Sequence, residues 1–343
     1  MAEKNKNEKG NNLLIEVRSK YILELILENL RENKKLYIIK YNKKLQNRID
    51  INLEYFKKFS LNVIIEIIPL KNKNGKFINY TRADNAEFIH IFFDNSKEEI
   101  HRNKIYSEDN VEKIKVELNY RFVEFNELFE GCDCIEKIKF IKFNNINIRN
   151  MNSMFCWCSS LKEINFYNFN TRNVINMDSM FRGCSSLEEL NLSKFDTTKV
   201  TNMSNMFGKC EKLKKLEISN FNTTNVKNML GMFSECYNLK KINLSFFYTE
   251  KCRDMSYMFW RCKNIEEIDL SNAKTDKVED MTFMFNECKA LKKLNISKFI
   301  IKENTNIEDM FDKKASIKEI NCSVELKFKF KDYIDNSFLC SIF

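Results

Sequence analysis

Cys184-Ser185-Ser186-Leu187-Glu188-Glu189-Leu190-Asn191-Leu192-Ser193-Lys194-Phe195-Asp196-Thr197-Thr198-Lys199-Val200-Thr201-Asn202-Met203-Ser204-Asn205-Met206-Phe207-Gly208-Lys209-Cys210 contains two periodicities in succession. Leu187, Leu190 and Leu192 form an LxxLxL pattern that passes into period two, which predicts a short strand with Leu190 and Leu192 on its buried face. Asp196-Thr197-Thr198-Lys199 is a polar turn. Val200, Met203, Met206, Phe207 and Cys210 then recur at steps of three, three, one and three. This spacing predicts one side of a short helix or of 3₁₀ turns.

The same pattern runs through the chain at a period of 26. Phe129, Phe155, Phe181, Phe207, Phe233, Phe259, Phe285 and Phe311 are evenly spaced without an insertion or deletion. Three residues on comes Cys, from Cys132 to Cys288, until Lys314 breaks the column. Thirteen of the 14 Met fall in two further columns, 151–281 and 154–310. An Asn or Asp precedes the first Met position, at Asn150, Asn176, Asn202, Asn228, Asp254, Asp280 and Asn306. Its side chain is suited to accept an orphan backbone N–H at the start of a helical turn. One unit cannot bury its apolar face alone, whereas stacked units make a continuous core. The expected fold is therefore α/β, a leucine-rich-repeat-type right-handed solenoid of about eight 26-residue repeats. Its strands would form a parallel sheet rising about 4.8 Å per repeat.

The unit Val-x-Asn-Met-x-x-Met-Phe-x-x-Cys-x-x-Leu-x-x-Leu-x-Leu-x-x-Phe-x-Thr resembles the 26-residue repeat of bacterial surface proteins. That repeat belongs to the BspA-like leucine-rich-repeat group, which also includes mycoplasma lipoproteins. The resemblance covers roughly residues 122–322 and implies a solenoid that binds proteins or surfaces, including as a cell-surface adhesin; no convergent acid–base set is visible in the sequence, so a non-enzymatic role is expected. The polar start Met1-Ala2-Glu3-Lys4-Asn5-Lys6-Asn7 departs from bacterial members. No signal-peptide pattern, lipobox or apolar run of about 20 residues is present, and a cytoplasmic location with reduced thiols is the resulting expectation.

Outside the repeats, 1–12 reads as a disordered tail, 13–60 as helical, 61–120 as a mixed α+β region and N-terminal cap, 121–322 as the solenoid and 323–343 as a C-terminal cap. Tyr21, Ile22, Leu25, Ile26 and Leu30 form one apolar face, and Leu36, Ile39 and Leu45 another. This pattern is similar to an F-box. Any small helical hairpin gives the same pattern, so a plain helical cap is expected; the alternative, implied by the resemblance, is a ubiquitin-ligase substrate adaptor that engages a Skp1-like protein through 13–60. In 61–120, strands are expected at 63–69, 77–81 and 86–93, with a helix at 98–103. The alternating Ile114, Val116 and Leu118 lead into the first repeat as a capping strand. Leu326, Phe328 and Phe330 predict another at the far end.

The composition narrows function further. Of 343 residues only six are Gly and one is Pro, against roughly 24 and 17 in average usage. The glycines are isolated, so no phosphate-cradling loop is formed. The turns are expected to be made by Asn, Asp and Thr instead. Two His leave little scope for acid–base or metal chemistry, and no cofactor is expected. The net charge of +9 is spread along the chain, which argues against a nucleic-acid-binding stripe. The column Cys read as small core residues rather than as metal ligands.

Candidate partner-binding residues lie on the open strand face. Asn165, Asn191, Asn243 and Asn295, with Glu217 and Asp269 substituting, recur between the two core positions of each strand. They are expected either to stack as an amide ladder or to meet a ligand. The preceding pairs alternate as Glu188-Glu189, Lys214-Lys215, Lys240-Lys241, Glu266-Glu267 and Lys292-Lys293. Opposite signs on neighbouring strands would pair, or would present a charge code to a partner. Tyr167 and Phe246, together with Trp157, Trp260 and Tyr237, are aromatics outside the repeated core columns and candidate hot spots.

Overall fold

The computed structural model describes residues 61–80, 88–119, 125–143, 148–167, 169–313, 315 and 317–333, together with Asn47. Met1–Asn62 and Val63–Phe343 are two compact units, and the description below concerns the second. The 1–12 tail and the F-box-like stretch 13–60 lie outside the described residues.

The LxxLxL segments are strands, as their period-two pattern predicts. β1 (Leu61–Pro69), β2 (Gly75–Lys76), β3 (Ile89–Phe93), β4 (Lys104–Ile105) and β5 (Ile114–Asn119) precede the repeats. β6 (Ile135–Phe143) opens the solenoid. It is followed by the three-residue strands β7 (Glu163–Asn165), β8 (Glu189–Asn191), β9 (Lys215–Glu217), β10 (Lys241–Asn243), β11 (Glu267–Asp269), β12 (Lys293–Asn295) and β13 (Glu319–Asn321). Each bonded pair of repeat strands is parallel and brings residues 26 apart opposite one another, as in Ile268↔Leu294. The fold is a β-solenoid. A second ladder of single-residue parallel bridges joins the coils through Asn150, Asn176, Asn202, Asn228, Asp254, Asp280 and Asn306.

The Met–Phe–Cys segment is a run of turns rather than a helix. In one coil the N–H groups of Met151, Ser153, Phe155 and Trp157 donate to the carbonyls of Asn176, Asp178, Met180 and Arg182 in the next coil, at 3.0, 2.8, 2.9 and 2.6 Å. Met154, Cys156 and Cys158 donate back three residues within the coil, at 3.3, 3.0 and 3.1 Å. An α-helix would point every N–H along its own axis. Here alternate N–H groups point along the solenoid instead. The reversal requires left-handed backbone at Ser153 (φ 54°) and Trp157 (φ 59°), and the same two positions recur in later coils. The Asx residue before the first Met does accept a backbone N–H, as expected, but it opens an Asx turn: Asn176 Oδ1 takes the Asp178 N–H at 3.0 Å.

The core is a set of columns. The eight repeat Phe rings stack face to face, with centroids 5.3–5.9 Å apart and planes within 18°. The Cys column is buried, as the core reading expected. Each thiol from Cys158 to Cys288 also donates to the carbonyl of the Phe one coil back, at 3.0–3.2 Å. Thr171, Thr197, Thr223, Thr249 and Thr275 form a further buried column in the turn. Thr223 Oγ1 donates to the Tyr248 carbonyl at 2.9 Å and accepts the Tyr248 N–H at 2.8 Å. This closes a chain crossing that the sequence reading had treated as a plain polar turn.

The ends depart from several expectations. One five-stranded sheet runs β3-β5-β1-β6-β7. The strand lying against β6 is thus β1, antiparallel with Ile67↔Ile138, and β5 lies one place further out. β1 is the longer apolar strand, and its inward residues Val63, Ile65 and Ile67 cover the first coil. The strand expected at 77–81 does not form within the described residues 77–80; the short β2 lies just before them, and Phe77 and Ile78 are both buried. Residues 98–103 form no helix; Glu99 instead bridges Phe92, and His90 Nδ1 lies 2.8 Å from Glu99 Oε1. At the far end the expected capping strand is a helix, α1 (Val324–Lys329). Ser323 caps its N-terminus, Glu325 lies in its first turn, and Lys327 and Lys329 lie in its last. Helical spacing buries Leu326 and Phe330 together and leaves Phe328 outside. The Phe column ends edge-on against Phe330, 5.0 Å from Phe311. No helix among the described residues is long and apolar enough to cross a membrane.

Candidate functional site

Each repeat strand turns its central residue inward and its flanking residues outward. The parallel register then sets the outward pairs of successive coils directly opposite each other. Opposite charges pair across these steps, as the alternation in the sequence predicted. Lys137 reaches Glu163 at 3.0 Å, Lys214 reaches Glu188 at 2.7 Å and Lys241 reaches Glu267 at 3.3 Å. Lys292 reaches Glu266 at 3.4 Å and Lys293 reaches Glu319 at 3.0 Å. The Lys214 hydrogen bond holds the Glu188 carboxyl below its ordinary pKa.

The strand-end amides do not form the expected ladder between coils. Asn165, Asn191, Asn243, Asp269 and Asn295 each accept a backbone N–H two residues on, at 3.0, 2.9, 2.9, 2.9 and 3.3 Å. Among the described residues no hydrogen bond joins these side chains from coil to coil. These residues therefore fix the exit of the chain from the strand. Glu217, one methylene longer than Asp, makes no such turn.

The strand face is interrupted at two places. β8 pairs only with β9, and β10 to β13 form a separate sheet, so the ladder is broken at β7/β8 and again at β9/β10. The breaks coincide with the charge of the first strand residue. At every bonded step this column changes sign: Lys137/Glu163, Glu189/Lys215, Lys241/Glu267, Glu267/Lys293 and Lys293/Glu319. At the two unbonded steps it repeats, as Glu163/Glu189 and Lys215/Lys241. Like charges set directly opposite on neighbouring strands repel. On one side of each seam the central strand residue, Ile164 or Leu216, is half-buried, whereas across it Leu190 and Ile242 are buried, 3% and 8% exposed.

The first seam holds a cavity of about 260 Å³ lined by Glu163, Asn165, Tyr167, Asn191 and Lys194, with Phe166 and Phe195 at its apolar side. Tyr167 is 58% exposed, and the Lys194 ammonium lies 5.8 Å from its ring centroid. The second seam gathers Lys214, Lys215, Lys240 and Lys241, all exposed, with Glu217 and Asn243 at the strand ends. Glu266, Glu267, Asp269 and Asn295 are half-buried on the following coils. Phe246 is packed edge-on at 5.3 Å against Phe247 and belongs to the margin of the core.

The remaining aromatics lie on the run of turns. Arg182 and Lys209 stand over Trp157 at 5.9 and 5.6 Å, and Arg261 over Trp260 at 4.3 Å. Tyr237 Oη donates to Glu235 at 2.6 Å, which raises the phenol to about 12. A cleft of about 300 Å³ between Arg182, Lys209, Tyr257 and Trp260 has Gly208 and Gly231 in its floor. Tyr167 and these aromatics thus serve different surfaces. The sequence reading missed the seams and the part of Lys194. The repeated sign in the first-strand column was the signal available for the seams. Among the described residues, no group of three or more His, Cys, Asp or Glu side chains is arranged to hold a metal ion. Burial pushes the column thiols well above their ordinary value of 9.0, as at Cys184 and Cys210, so they are poor nucleophiles.

Comparison with known proteins locates the chain in one family. The family described as "Mycoplasma protein of unknown function, DUF285" matches residues 123–240 and 212–324, which together span the solenoid. No curated protein and no solved structure gives a significant match. With more than half of its length matched, the chain belongs to this DUF285 repeat family.

Proposed function

We propose that the solenoid is a non-enzymatic protein-interaction module that holds a partner against its strand face. The reading rests on the first seam. Tyr167 stands 58% exposed over a cavity at a break in the sheet, beside a cation and polar turn residues. Exposed aromatics beside a pocket act as anchors in protein interfaces. The repeat pattern also supports kinship with BspA-like proteins, whose solenoids bind proteins or surfaces. A reducing location suits the Cys column, because each thiol must keep its hydrogen to donate to a Phe carbonyl.

Capture from lysate with the full chain tests this reading, using wild type, Tyr167→Ala and Lys194→Ala in parallel. A partner retained by wild type and lost with Tyr167→Ala is the expected outcome. Retention of every specific partner by both variants would overturn the role of the first seam. A second bait covering residues 61–343 asks what 13–60 recognises. The cut belongs before β1 rather than at 121, because β1 supplies the neighbour of β6. Recovery of a Skp1-like protein by the full chain alone would show adaptor function.

A further inference from the structure

We propose that the second seam, between β9 and β10, is the docking site for a short acidic stretch of an extended polypeptide. The inference rests on the strand-face reading and specifies its partner chemistry. Four lysines occupy two successive coils here: Lys214 with Lys215, then Lys240 with Lys241. Lys214 and Lys241 pair outward, with Glu188 and Glu267. Lys215 and Lys240 have no ion-pair partner among the described residues. The β9/β10 step sets like charges side by side and is unbonded, whereas every bonded step between repeat strands sets opposite charges together at the first strand residue.

Three features define what fits. The ladder break means β9 and β10 do not satisfy each other's backbone groups, so polar main chain faces the seam beside the ammonium groups. The half-buried Leu216 provides an apolar contact between them. The positive patch is also short. Glu188-Glu189 bound it on one side and Glu266-Glu267 on the other. Two coils span about 10 Å at strand spacing, enough for two or three carboxylates. A long polyanion, whether nucleic acid or an anionic membrane, would meet the acidic pairs on both sides. Basic residues flanking an acidic pair or triplet would avoid that repulsion and meet Glu189, while Glu188, Glu266 and Glu267 already pair with lysines of the solenoid. Charge complementarity therefore selects an acidic segment with basic flanks.

The test is fluorescence anisotropy on the full chain with four probes. They are a peptide carrying three consecutive glutamates between lysines, its Gln-for-Glu counterpart, a single-stranded oligonucleotide, and vesicles containing phosphatidylserine. Salt-sensitive binding of the Glu peptide, with at least about tenfold weaker binding of the Gln peptide, is expected. Lys215→Glu combined with Lys240→Glu should weaken the Glu peptide by at least about tenfold. The Lys215→Gln and Lys240→Gln pair should weaken it less, and Lys227→Glu, on an exposed turn, should leave it unchanged. Equal binding of both peptides, indifference to the paired reversals, or tighter binding of the oligonucleotide or vesicles would each overturn the inference. A captured partner lost with Tyr167→Ala but unaffected by the lysine reversals would refute the second seam alone. A partner indifferent to both sets of variants would refute the strand-face reading as well.

Discussion

Gly183 and Trp157 show what a single position costs in this coil. Gly183 adopts φ 74°, and a Cβ there would meet Trp157 Cε3 at 2.5 Å. Gly131 occupies the equivalent position at φ 65° with open space around it. Gly131→Ala should therefore cost about 1 kcal/mol, the left-handed backbone alone. Gly183→Ala should cost distinctly more, because the indole must also move; paired urea titrations measure the difference. The small glycine count has a physical explanation here. Most left-handed turn positions are filled by Ser, Asn, Lys, Glu, Tyr, Arg or Phe, and N–H bonds to the next coil hold them in that conformation, as from Asn205 to the Leu230 carbonyl at 2.7 Å. The column thiols make a second prediction. Their folded pKa lies above the unfolded value of 9.0 because burial disfavours the thiolate. Their contribution is thus fully present below pH 9 and lost as pH rises towards the folded pKa. Each loses about 1.4 kcal/mol per pH unit in that window. Urea midpoints should fall steeply between pH 9 and 10.5, and less steeply in Cys210→Ala.

Among elements, the three-residue strand is the unit whose pairing is conditional. Its backbone is the same in every coil, yet the ladder forms only where the first-strand residue changes sign. Glu267→Lys tests that rule, since it places Lys opposite both Lys241 and Lys293. The Leu244 and Leu270 N–H groups, now bonded to the next coil at 2.8 Å each, should then exchange with solvent several-fold faster. Unchanged exchange would remove charge as the cause of the seams. The turn run behaves differently, because its bridges through the Asx column continue past both seams. Strand face and turn face are therefore separable in stability, with the looser one carrying the candidate sites. Much of this was legible beforehand: the period of 26, the strand centres, the buried Cys and Phe columns and the cross-coil ion pairs. The Thr column was not, because a hydroxyl in a polar turn looks the same whether it meets water or the backbone of the next coil.

At the scale of the whole molecule, a solenoid gains its core only by stacking, so its two ends must be closed. β1 closes one end through antiparallel pairing with β6, and α1 closes the other by placing Phe330 and Tyr333 against Phe311. Phe330→Ala should destabilise the chain by about 3–4 kcal/mol, the cost of truncating a buried aromatic. It should also expose Phe311 to self-association, which calorimetry and light scattering would detect together. An unchanged melting temperature would show that α1 is not the cap. The sequence by itself determined the repeat, the coil and the identity of its core, because eight copies of one pattern leave a single phase in which all apolar columns are buried together. Only the tertiary structure decided that the turn run is not a helix, that the terminal apolar stretch caps as α1, and that the sheet opens at two seams. Each of these depends on what one coil meets in the next. Hydrogen bonds, ring contacts and like charges between residues 26 apart are set by stacking, and no periodicity within one unit specifies them.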